Sequence, residues 1–137
     1  MRMRILPALV LLGCSTKLPA VQFPVEVIEF MDNARVVASI EAVDIDASAQ
    51  WQPFSGAPPL SLTAALDAVH KHLAADPALA DATLSGIELK QIPHHENHWH
   101  YLVKLQAHNA DNPRPHYFIV LMNGKVIAGL REPQAVK

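Results

Sequence analysis

The 137-residue sequence has a single cysteine, Cys14, and its charge is nearly balanced, with 11 Lys and Arg against 13 Asp and Glu. A lone thiol cannot form a disulfide within the chain. Nucleic-acid binding needs clustered positive charge against the phosphates, and the sequence has no such cluster. Without the first few residues, which include Arg2 and Arg4, the chain is acidic, at about -4. We therefore exclude the nucleic-acid-binding class.

The sequence also has none of the short motifs that mark common catalytic sites. It contains no Gly-x-Ser-x-Gly nucleophile turn, no Walker phosphate loop and no His-Glu-x-x-His metalloprotease helix. Asp44 and Asp46 lie two residues apart and could act as an acid/base pair. We interpret them as an exposed strand end instead, because no partner base or metal ligand lies nearby in the sequence. We therefore expect a protein that is not an enzyme and has no cofactor.

The N-terminus has the three parts of a targeting signal. A basic start at residues 1–4 is followed by an apolar run at residues 5–12 and by Leu11-Leu12-Gly13-Cys14. This arrangement resembles a bacterial lipoprotein signal peptide. The resemblance implies cleavage before Cys14 and attachment of lipid to it, as palmitate-type chains. An ordinary secretory leader and a buried N-terminal strand are the alternatives.

Lipidation of Cys14 would also remove the only free thiol, and with it any cysteine catalysis. No later segment reaches the roughly 20 apolar residues that span a bilayer, so the lipid would be the only anchor. Ser15 after the cysteine resembles the sorting signal for the outer membrane, on the side facing the periplasm. We predict a signal peptide at residues 1–13, a tether at 14–24 and one domain at 25–137.

The rest of the chain predicts an α+β fold, with one main helix packed on an antiparallel sheet of four to five strands. The helix is predicted from Ser61 to Ala75, with an N-cap at Ser61. Its apolar stripe consists of Leu62, Ala65, Leu66, Val69 and Leu73. Strands are predicted at residues 25–30, 35–45, 83–92 with an interruption at Gly86, 98–107, 116–122 and 125–130.

Asn123-Gly124 predicts a type I′ turn between the last two of these strands. Counting outward from that turn pairs Leu121 with Val126 and Ile119 with Ala128. The other face then carries Phe118, Val120 and Ile127, so the hairpin is apolar on both sides. A single helix covers only one side, so either the N-terminal strands cover the second or Phe118, Val120 and Ile127 bind a partner.

The run from Trp51 through Pro58-Pro59-Leu60-Ser61-Leu62, followed by strands with Trp99, Tyr101 and Tyr117 and by the Asn123-Gly124 hairpin, resembles PepSY-type domains over residues 50–130. The resemblance implies a helix on an antiparallel sheet and a non-catalytic role as a protein- or peptide-binding module that can modulate a peptidase. A cystatin-like arrangement is structurally close, but the chain has no Gln-x-Val-x-Gly inhibitor loop.

Five of the eight histidines lie between His94 and His108. In an extended segment, His94, Glu96, His98 and His100 would share one face, and such a set suits Zn²⁺ or Cu²⁺. A metal-binding envelope lipoprotein is therefore our alternative hypothesis. The competing interpretation is a polar hairpin tip with a solvated strand face.

Overall fold

The computed structural model describes residues 22–31, 33–108 and 114–133. The fold is α+β, with helices and two antiparallel sheets. The elements in chain order are β1 (Val25–Met31), β2 (Ala34–Ile40), α1 (Ala42–Ala47), α2 (Leu62–Leu73), a 3₁₀ turn (Pro77–Leu79), β3 (Thr83–Gln91), β4 (Trp99–Gln106), β5 (Pro115–Leu121), β6 (Val126–Ala128) and β7 (Leu130–Pro133).

The strands form two sheets, so the prediction of one sheet under one helix is wrong. The large sheet has the order β3-β4-β5-β6 and the small sheet the order β1-β2-β7. Every neighbouring pair is antiparallel. The molecule therefore has three layers: α2, the large sheet and the small sheet.

Helix α2 covers one face of the large sheet, as the apolar stripe predicted. The Ser61 side chain accepts a hydrogen bond from the Ala64 N–H at 3.1 Å, which confirms the N-cap. The buried helix residues are Ala65, Val69 and Leu73. Leu62, the first residue of the helix, begins the predicted stripe but is 50% exposed. We call the apolar layer between α2 and the large sheet the outer core.

The small sheet covers the second face of the large sheet, which resolves the choice that the sequence left open. Val27, Val36 and Ala38 of the small sheet pack with Leu102 and Ile119 of the large sheet. We call this layer the inner core. Alternation along each strand makes both faces of the large sheet apolar, and each face has its own cover.

Residues 41–47 differ from the prediction of a strand from Arg35 to Ile45. Strand β2 ends at Ile40, and α1 follows at once, with Asp44 in its first turn. An acidic side chain there interacts favourably with the helix dipole. Ile45 is fully buried in the inner core, so this short helix closes one end of the layer.

The hairpin between β5 and β6 has a register one residue away from the prediction. Phe118 pairs with Ala128, and Val120 pairs with Val126. The Gly124 N–H donates to the Leu121 carbonyl at 2.8 Å, and only Gly124 of the Asn-Gly pair has a positive φ, at +88°. A type I′ turn needs positive φ at both positions, so this turn is a type I turn followed by a glycine bulge. The bulge residue shifts the register.

Gly129 marks the point where the chain crosses from the large sheet to the small sheet. Its N–H donates to the Tyr117 carbonyl at 2.7 Å, and β7 then pairs with β2. A Cβ at this position would lie 2.8 Å from Val36 Cγ1 and 3.2 Å from the Tyr117 oxygen. The two sheets approach here too closely for any side chain.

Candidate functional site

The predicted partner surface of Phe118, Val120 and Ile127 is not present in the structure. Phe118 and Val120 are 3% and 0% exposed and lie in the outer core beneath α2. Ile127 packs against the inner core on the opposite side of the sheet. The one-residue register shift reversed its expected face, because side chains alternate along a strand. This prediction is wrong, and a binding surface has to be sought elsewhere.

One accessible apolar surface is a groove between α2 and the start of β3, with a volume of about 330 Å³. Leu84 forms part of its wall and is 49% exposed. The His70 ring and the Asp67 carboxylate lie on the helical side. We call this surface the α2–β3 groove. Its lining residues are Leu66, Asp67, Val69, His70, Leu73, Ala82, Leu84 and Leu105.

Strand β3 lies at the edge of the large sheet, and no strand of the described residues pairs with its outer side. The ladder shifts between Leu84 and Gly86, which confirms the interruption predicted at Gly86. A bulge reverses the alternation of side chains. Leu84 therefore lies on the same face as Ile87 and Leu89, toward α2, so the groove and the strand edge form one continuous surface.

The hydrogen-bond pattern identifies which β3 amides point outward. The Ile92 N–H donates to the His98 carbonyl at 2.8 Å, so this residue faces β4. Hydrogen bonding alternates along an antiparallel pair. The N–H groups of Ile87, Leu89 and Gln91 therefore point away from β4, in the plane where an added strand would bind.

The charges beside this edge are predominantly acidic. Asp67 lies on the rim of the groove, and the Glu88 side chain is 60% exposed. Lys90, the cation of this strand, contacts Glu29 of β1 and lies 3.9 Å from Glu88. Its charge is thus shared between two carboxylates. The Lys90–Glu29 ion pair also joins the edges of the two sheets.

His94, Glu96, His98 and His100 do not come together as the predicted metal site required. Residues 92–98 form turns, with His94 at φ +61°, so the segment is not extended. His100 is 1% exposed, with the buried polar groups. Within the described ranges, no three His, Cys, Asp or Glu side chains converge in a geometry suited to a metal ion.

His100 lies between Lys90 and Leu121 in the large sheet. Neither of its ring nitrogens has a hydrogen-bond partner among the described residues. Burial, followed by the charge of Lys90, lowers the pKa of His100 from 6.5 to about 4. A buried ring in this environment is neutral at physiological pH. The sequence predicted a solvated strand face for this histidine, and the burial of the ring was therefore not predicted.

The outer face of the small sheet is a second exposed apolar region. Ile28, Val37 and Leu130 occupy one cross-strand row, and Leu130 is 71% exposed. The next row contains Phe30, which is 72% exposed, beside Arg35 and Glu132, which form an ion pair. The α2–β3 groove is concave and lies beside an unpaired strand edge, so it is the better candidate for recognition.

Comparisons with known proteins do not assign this chain to a family. No family model, no curated protein and no solved structure matches it.

No helix among the described residues has the length and apolar character needed to cross a bilayer. Cys14 and the predicted signal peptide at residues 1–13 lie outside the described residues, as does most of the tether at 14–24.

Proposed function

We propose that this chain is a non-catalytic, lipid-anchored protein of the bacterial cell envelope that binds an extended segment of a protein or peptide. The observation that carries the proposal is the unpaired edge of β3 beside the α2–β3 groove. Main-chain groups on such an edge provide affinity, and a neighbouring groove provides selectivity for side chains. The absence of catalytic motifs from the sequence supports a binding role.

The arrangement of α2 on strands β3 to β6 also supports the PepSY-like interpretation. That unit consists of one helix on a four-stranded antiparallel sheet. In this proposal, the β1–β2 hairpin and β7 are an addition that covers the second face. A peptide bound at the β3 edge would be held extended, a conformation that also suits peptidase substrates, so modulation of a peptidase remains part of the proposal.

The chemistry of the surface defines the partner segment. The outward N–H groups of Ile87, Leu89 and Gln91 require carbonyl acceptors spaced two residues apart, which is the spacing of an extended strand. The apolar wall at Leu84 suits an aliphatic side chain. The Asp67 carboxylate on the rim favours a basic residue nearby. We therefore propose a segment with alternating aliphatic side chains and at least one Lys or Arg.

A displayed library of random 12-residue peptides tests this proposal with the purified protein. Selected peptides should match the pattern above, and Leu84→Glu should weaken their binding by about tenfold, or about 1.4 kcal/mol. Val43→Glu is the matched control, because Val43 is an exposed apolar residue of α1, 69% exposed, away from the groove. Bound peptide should slow hydrogen exchange at the Ile87, Leu89 and Gln91 amides.

Two results would contradict the binding site. One is that no peptide is enriched, and the other is that selected peptides bind the Leu84→Glu variant as tightly as the unmodified protein. Protection of amides in β1 instead of β3 would move the site to the small sheet.

The lipid anchor has a separate test in bacterial cells. Cys14→Ser should move the protein from the membrane fraction to the soluble fraction and abolish labelling by an alkyne-tagged palmitate analogue. Ser15→Ala is the matched control, because it changes the neighbouring hydroxyl and leaves the thiol. Unchanged labelling of the Cys14→Ser variant would refute lipidation at this residue.

A further inference from the structure

The connection between β3 and β4 consists of two successive turns of the same kind. The His95 N–H donates to the Ile92 carbonyl at 3.1 Å, and the His98 N–H donates to the His95 carbonyl at 3.2 Å. The third residue of each turn has a positive φ, +61° at His94 and +62° at Asn97. One positive φ at that position defines a type II turn. Each turn therefore ends in a histidine.

The two histidines have the same side-chain arrangement as well as the same backbone position. His95 Nδ1 lies 3.0 Å from the Pro93 carbonyl oxygen, and His98 Nδ1 lies 3.2 Å from the Glu96 carbonyl oxygen. A carbonyl oxygen can only accept, so each Nδ1 is the donor and carries the proton. In a neutral imidazole, the lone pair is then on Nε2. This is the tautomer of a metal-binding histidine whose second nitrogen is held by a carbonyl.

The rings lie at a separation that one ion can bridge. The centroids of His95 and His98 are 6.2 Å apart, with an interplanar angle of 85°. A metal–nitrogen distance of about 2.0 Å places each ring centroid about 3.2 Å from the ion, so two rings on one ion have centroids at most about 6.4 Å apart. With both Nε2 atoms toward the ion, the observed separation corresponds to a nitrogen–metal–nitrogen angle of about 150°. Side-chain rotations that bring the centroids to about 5.2 Å would give the tetrahedral angle.

We propose that His95 and His98 bind one divalent transition-metal ion through their Nε2 atoms, with water in the remaining positions. Imidazole ligands select Cu²⁺, Ni²⁺ and Zn²⁺, and Cu²⁺ binds most strongly in this series. Ca²⁺ and Mg²⁺ are excluded because they require oxygen ligands. The site uses one residue, His98, of the four-residue set predicted from the sequence, and it does not depend on the proposed peptide site.

Titration of the purified protein with Cu²⁺ alone, followed by calorimetry and electron paramagnetic resonance, tests the site. His95→Asn and His98→Asn each keep a donor near the position of Nδ1 and remove Nε2. Each variant should weaken Cu²⁺ binding at least about tenfold. Each should also remove the hyperfine coupling of one ligand nitrogen from the electron paramagnetic resonance spectrum. His94→Asn is the matched control, because Asn tolerates positive φ and the ring lost there is not a ligand. That variant should bind like the unmodified protein.

Nitrogen-15 spectra of the metal-free protein provide an independent readout. The rings of His95 and His98 should both be protonated on Nδ1. Protonation on Nε2 would overturn the proposal, as would equal Cu²⁺ binding by the His95→Asn/His98→Asn double variant and the unmodified protein. Loss of binding in His94→Asn alone would also overturn it, since it would assign the ligand to a different ring.

Discussion

The buried ring of His100 should make the stability of the protein depend on pH. The unfolded chain exposes this histidine, so its pKa there is the ordinary value of 6.5, whereas in the folded protein it is about 4. Between these two values, the unfolded state binds a proton that the folded state does not. Stability therefore falls as the pH decreases from 6.5 to about 4, and the histidine has no such effect above 6.5.

The two pKa values give the size of the effect. Between pH 7.5 and pH 4.5, the linkage relation gives a loss of about 2.5 kcal/mol in the free energy of unfolding from His100 alone. Urea unfolding at the two pH values, followed by tryptophan fluorescence, measures it. Other groups also titrate over this range, so the informative quantity is the difference between the unmodified protein and a variant.

His100→Leu removes the titrating ring and replaces it with an apolar side chain next to the inner core. At pH 7.5 it should be more stable than the unmodified protein by about 1 kcal/mol, because two unpartnered buried nitrogens are removed. Its loss of stability between pH 7.5 and 4.5 should be smaller by about 2.5 kcal/mol. His70→Gln, at an exposed helix position, should keep the full dependence. Equal pH dependence of His100→Leu and the unmodified protein would refute the reasoning.

Three further outcomes are expected. Gly129→Ala should lower the free energy of unfolding by about 1–3 kcal/mol, because its Cβ has no space. Gly86→Ala is the matched control, because no described atom lies within 4 Å of the added Cβ. Equal urea midpoints for the Gly129→Ala variant and the unmodified protein would contradict the account of the crossing. Ser61→Ala should lower the free energy of unfolding by about 1 kcal/mol, because the N-cap is lost. An unchanged urea midpoint would mean that the cap is not formed. Lys90→Gln should raise the pKa of His100 in a nuclear magnetic resonance titration, because a nearby positive charge is removed; an unchanged or lower pKa would show that burial acts alone.

The sequence predicted those elements whose signals are local. The apolar stripe and the Ser61 cap predicted α2 to within about two residues at each end, which is the usual uncertainty of helix boundaries. The interruption of β3 was also predicted, because glycine in a strand often marks a bulge. These features depend on residues that are close together in the chain.

The sequence did not predict how the strands divide into two sheets, because that division depends on distant contacts. Strands β1 and β2 are rich in Val and Ile whether they extend one sheet or cover another. The Asn123-Gly124 pair fits both a type I′ turn and a type I turn with a glycine bulge, and the two differ by one residue in register. That single residue moved Ile127 to the opposite face, whereas Phe118 and Val120 lost their predicted accessibility because α2 covers them.

The histidines illustrate the same limit. Spacing along an extended strand grouped His94, Glu96, His98 and His100, but the positive φ values at His94 and Asn97 fold the segment into turns. His95 was left out of the predicted set because it alternates with the others. The i and i+3 positions of a turn are neighbours in space, so a turn brings His95 beside His98.

The pairing of β2 with β7 has a consequence for the order in which the molecule is completed. Val37 pairs with Leu130 and Ala34 with Pro133, so the partners are separated by 93 and 99 residues. Contacts between such distant segments form late, because the closure of a long loop is entropically unfavourable. An N-terminal fragment emerging from the ribosome leaves β2 without its second neighbour. For a chain exported through a membrane pore, as we propose, the small sheet then gains its third strand only after residues 130–133 have been synthesised.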